Sequence, residues 1–92
     1  MPSPVLKELF INYFGGEING TEINEDLVHW VSLGTQKPVD KLSFVRKGKM
    51  YRALLVSEMT AFAGAPFLSL ADVFGVSKTA MAIQLTDLGL VR

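Results

Sequence analysis

Residues 67–92 constrain this chain more than any other stretch. Ser69 can cap a short helix over residues 70–74, because its hydroxyl can accept a hydrogen bond from a free amide of the first turn. Ala71 is small, as required where two helices touch closely. Gly75 follows four residues later, in a turn that often needs a positive φ. Val76 is apolar and pins the turn to the core, and Ser77 caps a second helix. In that helix Ala80, Met81, Leu85 and Leu88 are expected to form the inward stripe, with Gly89 as terminator. The spacing predicts a helix-turn-helix.

A helix-turn-helix points to double-stranded DNA as a partner, with the second helix in the major groove and nearby cations on the phosphates. The expected reading surface is Ser77, Lys78, Thr79, Ala82, Ile83 and Thr86. Only Lys78 among them is charged, and no Arg, Asn or Gln stands there to make a bidentate base contact. Gln84 lies one turn further along. Asp72 and Asp87 flank the pair and repel phosphates. A packing or protein-binding use of the same helices is therefore a rival from the outset.

Six of the nine cations lie in the middle of the chain. The sequence is neutral overall, but residues 1–30 carry Lys7 against Glu8, Glu17, Glu22, Glu25 and Asp26, a net of −4. Residues 37–52 carry Lys37, Lys41, Arg46, Lys47, Lys49 and Arg52 against Asp40, a net of +5. Lys41, Arg46, Lys47 and Lys49 are the expected phosphate contacts of a DNA-binding protein. The same stretch can instead meet the acidic third of its own chain or of a second copy.

Ser3-Pro4 opens a helix, with serine as cap and proline at the first helical position. Leu6, Leu9, Phe10, Tyr13 and Phe14 share one broad face, and Gly15-Gly16 ends it. That aromatic stripe reads as core. Asn19-Gly20 marks a turn. Asn24-Glu25-Asp26 starts a second helix, with a cap followed by acids that suit the positive end of the helix dipole; Leu27, Trp30 and Val31 form its apolar face and Gly34 is expected to stop it. His29 is expected as a surface or partly buried side chain.

Thr35 to Asp40 is a polar connector, and residues 41–46 alternate too briefly to decide between a strand and the lead-in to a helix. Met50, Tyr51, Leu54, Leu55, Met59 and Phe62 predict an amphipathic helix of about four turns from Lys49, ended by Gly64 and Pro66. The alternative is a β-hairpin of residues 42–45 and 51–56 around Lys47-Gly48-Lys49.

Nearly half of the 92 residues are apolar, enough for one domain with its own core and too little chain for two. A domain this small leaves apolar surface that a second copy or partner can cover, so a homodimer is a candidate state. With no cysteine and one histidine, neither a disulfide framework nor a thiolate or His–His metal site is available. No apolar run approaches the roughly 20 residues of a membrane span. Met1-Pro-Ser-Pro lacks the basic start and apolar stretch of a signal peptide, so a cytoplasmic location is expected. No nucleophile–base pair and no phosphate-binding glycine loop can be assembled, so a catalytic site and a cofactor are not expected.

Residues 70–91, with Leu70, Ala71, Phe74, Val76, Ser77, Ala80, Met81, Leu85, Leu88 and Gly89 in place, resemble the C-terminal segment of the ImmA/IrrE family. These are zinc metallopeptidases associated with mobile-element and stress regulation. The family commonly has arginine where this chain has Gln84, and its His-Glu-x-x-His zinc helix has no counterpart here. What the resemblance implies is the helical packing module without the peptidase.

The expectation is a mainly α fold: a small helical domain with a C-terminal helix-turn-helix, leaving room for one short β-hairpin. Within the single domain, residues 1–34 form an acidic helical part, 35–66 a basic connector and amphipathic helix, and 67–92 the helix-turn-helix. The first functional expectation is a small DNA-binding transcriptional regulator, phage- or mobile-element-related. The alternative is a non-catalytic interaction or dimerisation module related to the C-terminal part of ImmA/IrrE-like proteins.

Overall fold

Four side chains fix where helices begin, and four left-handed residues fix where they end. In the computed structural model, which describes residues 3–21 and 23–92, six helices and one small hairpin follow in order. They are α1 (Ser3–Phe14), α2 (Glu25–Thr35), α3 (Lys41–Arg46), α4 (Lys49–Glu58), β1 (Ala61–Phe62), β2 (Ala65–Pro66), α5 (Leu70–Phe74) and α6 (Lys78–Asp87). Asn24, Asp40, Ser69 and Ser77 accept hydrogen bonds from the amides of Leu27, Ser43, Asp72 and Ala80, satisfying donors that the helix itself leaves free. Gly15, Gln36, Gly75 and Gly89 have φ of 78°, 57°, 65° and 71° and close the carbonyl ends of α1, α2, α5 and α6. The fold is mainly α with one short antiparallel hairpin. Among the described residues no helix is long and apolar enough to cross a membrane. Glu22, counted in the acidic third, and Met1-Pro2 lie outside the described residues.

α4 is the central element, packing on α2, α3 and α5 and most extensively on α6. Ala53, Leu55 and Val56 of α4 meet Met81, Ala82 and Leu85 of α6 in one buried cluster. The aromatic stripe of α1 is core, as expected: Leu6, Phe10 and Phe14 are buried. Phe14 lies edge-on to Phe62 with ring centres 5.1 Å apart, and Tyr13 stacks on Phe67 at 3.9 Å. The turn at Asn19-Gly20 forms, with the Thr21 amide donating to Asn19 Oδ1 at 3.0 Å. Beside it the chain pairs in parallel with the residues after α6, through Ile18 N to Leu90 O at 2.9 Å and Arg92 N to Ile18 O at 2.8 Å.

The helix expected from Lys49 forms, and residues 41–46 are a helix as well, so the alternative hairpin does not form there; the hairpin lies at residues 61–66. Three expectations are corrected. α4 has ten residues and stops at Glu58, before Met59 and Phe62. Tertiary contacts override the periodicity at this point: the Thr60 amide donates to Gly34 O at 2.9 Å, and Phe62 turns to Phe14 and Trp30. Gly34 does not stop α2 but lies buried within its last turn, because the chain at Met59–Ala61 passes directly over it. The inward face of α4 includes Arg52 and Ser57, both satisfied by backbone carbonyls, while Met50 is exposed.

Candidate functional site

Residues 69–87 form the expected pair. The Gly75 and Val76 amides donate back to Asp72 O and Ala71 O at 3.2 and 3.0 Å, a double closure that the left-handed glycine permits. Ala71 is buried where the turn folds under, and Ser77 then starts α6. Ser77, Lys78, Thr79, Ala80 and Ile83 are exposed. Ala82, expected on the reading surface, is 0% exposed, and Ala80, expected inward, faces out. The buried stripe is Met81, Ala82 and Leu85, because α4 approaches α6 from that side. Ala82 is withdrawn from the candidate surface.

Lys78 is engaged. Its Nζ lies 2.6 Å from Glu58 Oε2, and Lys37 Nζ lies 2.6 Å from Glu58 Oε1. Glu58, whose side chain is only 10% exposed, thus joins the connector after α2, the end of α4 and the start of α6. Burial by itself raises the Glu58 pKa, but hydrogen bonds and charge from Lys37 and Lys78 outweigh it and hold the carboxyl below its ordinary value. Glu58 and its lysines line a cleft of about 430 Å³ together with Thr60, Ser69, Asp72 and Ser77. Two lysines and two carboxylates leave the cleft without net charge. It offers an anion little.

The basic middle of the chain is divided among different tasks. Arg52 is 6% exposed: its Nε donates to Arg92 O at 2.9 Å and its Nη1 to Phe44 O and Val45 O, each at 3.0 Å. It ties the end of α3 to the end of the chain and presents no cation to solvent. Lys41 sits 3.5 Å from Glu25, and Lys47 lies 4.9 Å from the ring centre of Tyr51. Arg46 and Lys49 are exposed and form no ion pair among the described residues. α4 starts at Gly48 with no side-chain cap.

The two candidate sets do not meet. Ser57 Oγ donates to Lys78 O at 3.3 Å, so the end of α4 lies against the start of α6. Lys49 is at the other end of α4, nine residues from Glu58 and about 14 Å along the axis. Ser77, Lys78 and Thr79 therefore gather at one end of α4. Lys41, Arg46, Lys47 and Lys49 gather with α3 at the other.

Sequence reasoning missed the linking role of Glu58. Its one available trace was that Glu58 is the only acid between Asp40 and Asp72. Arg52 carried no such trace, since a buried arginine and a phosphate-binding one look alike in sequence. His29 is exposed on α2, as expected. Comparison with protein-family models, curated proteins and solved structures returned no match. The resemblance to the ImmA/IrrE family thus rests on the ten positions of residues 70–91 alone.

Proposed function

We propose that this chain is a non-catalytic helical interaction module, whose helix-turn-helix serves packing and protein contact and does not read base edges. One observation carries this reading: Glu58 holds Lys78, the only cation at the start of α6. What α6 then exposes fully is Thr79, Ala80, Ile83 and Asp87, none of them a bidentate donor for a guanine or adenine edge, while Gln84, the one side chain of that kind on α6, is half-buried on its second turn. Asp72 on α5 adds repulsion toward phosphate. The ImmA/IrrE resemblance fits this reading as a packing unit without its zinc helix.

The second reading is a DNA-binding regulator that grips backbone through Lys41, Arg46, Lys47 and Lys49. The uncapped start of α4 between Lys47 and Lys49 favours it, since free amides and two lysines suit a phosphate. A salt-titrated binding assay on random duplex DNA separates the two. The module reading expects no binding at low salt, where the phosphate contribution is largest for any sequence. Binding abolished by Lys47→Ala with Lys49→Ala establishes the backbone reading. Binding abolished by Lys78→Ala with Thr79→Ala restores α6 as a recognition helix and overturns the proposal.

A further inference from the structure

Two surfaces left uncovered by the fold are complementary in both charge and polarity. On α3, Leu42 and Val45 are 56% and 41% exposed and lie three residues apart on one face. At 100° per residue, Lys41 and Arg46 fall on either side of that pair, so the apolar ridge is flanked by cations. Lys47, Lys49 and Met50, which follow α3 into the first turn of α4, are exposed as well. On α2, Asp26, Trp30 and Leu33 follow one another at four and three residues along a single stripe, with Glu25 beside it. Leu33 is 61% exposed and, with Trp30, Phe62 and Pro66, lines an apolar groove of about 210 Å³ between α2 and the hairpin. The α2 surface is therefore an apolar groove headed by acids, and the α3 surface an apolar ridge flanked by bases.

We infer that these surfaces are the two halves of a homodimer interface, in which the Leu42–Val45 ridge of each copy docks on the acidic α2 face of the other. The inference deepens the module reading and rests on it, naming a second copy of this chain as the partner. Charge complementarity selects that occupant. The exposed cations of the ridge meet Glu25 and Asp26, and a chain with no net charge has no long-range self-repulsion to overcome. The surfaces adjoin within one molecule, where Lys41 meets Glu25 at 3.5 Å. A two-fold axis beside that pair lets both contacts form at once, as a closed isologous dimer requires.

The test is the mass of the full chain in solution, by sedimentation equilibrium across protein and salt concentration. The expected result is a dimer at low salt whose dissociation constant rises at least tenfold at high salt, because exposed ion pairs are screened. Leu42→Glu with Val45→Glu is expected to give a monomer with unchanged helical circular dichroism, since both side chains lie outside the core. Asp26→Lys should weaken the dimer, and adding Lys47→Glu with Lys49→Glu should restore it. A monomer at every salt up to about 1 mM protein overturns the inference, as does a dimer indifferent to Leu42→Glu with Val45→Glu. A monomer that also ignores duplex DNA leaves the module reading standing and removes only self-docking. A chain that binds DNA or anionic vesicles through Lys47 and Lys49 overturns both.

Discussion

Replacing Gly34 by alanine tests whether the contact between α2 and the hairpin shapes this fold. At an exposed helical position this change stabilises, by about 1 kcal/mol from helix propensity. Here the sign should reverse. A Cβ on Gly34 would press on the Ala61 carbonyl oxygen and sit 2.9 Å from Met59 Cε. The first obstacle is backbone, which cannot rotate away as a side chain would. Relief requires β1 to move off α2, at an overpacking cost near the top of the usual range of about 1–3 kcal/mol. The same movement stretches the Thr60 amide to Gly34 O bond, now 2.9 Å, which contributes about 1 kcal/mol. The net expectation is destabilisation by about 2–3 kcal/mol, a fall in Tm of roughly 10–20 °C for a domain of this size. Thermal melts followed by circular dichroism measure it directly. An unchanged or raised Tm would refute the close approach.

Arg52→Met should destabilise by about 2–3 kcal/mol in urea unfolding, because the Phe44 and Val45 carbonyls lose their donor and Arg92 O keeps only the Gly20 amide; Arg52→Lys should fail to restore them, one ammonium replacing a planar fork. Glu58→Gln should cost about 1 kcal/mol at neutral pH, discounted for the half-exposed lysines. Its pH dependence has a defined sign. A carboxyl held below its ordinary value in the fold stabilises above the unfolded pKa and loses that contribution as pH falls through the folded one. The wild-type chain should therefore lose stability below about pH 5 more steeply than Glu58→Gln, as Tm against pH will show. Ala63 holds φ at 52° in the hairpin turn, so Ala63→Gly should stabilise by about 0.5–1 kcal/mol and raise Tm by a few degrees.

Local chemistry made much of the fold legible. Asn24, Ser69 and Ser77 cap the helices they were expected to cap, and Gly75 and Gly89 take left-handed conformations where expected. Those features depend on residues within one turn of each other, which the sequence displays side by side. The phases of α4 and α6 depart from what periodicity implies because each depends on the direction from which the other helix arrives. Ala82 and Ala80 differ by two positions and by nothing in chemistry; only the approach of α4 decides which is buried. Gly34 looked like a terminator because close packing by a distant segment leaves no local trace. The same holds for the candidate site. Charge counts showed that α6 is poorly furnished with donors, while the capture of Lys78 by Glu58 joins residues twenty apart.

As an interaction module, the chain packs through α6 and does not read bases with it. That role is tested most directly by titrating isotope-labelled protein with random duplex DNA at low salt and following backbone amide shifts. The amides of Ser77, Lys78, Thr79, Ala80 and Ile83 should stay where they are. Saturable shifts at those residues, absent from Lys47 and Lys49, would contradict that role.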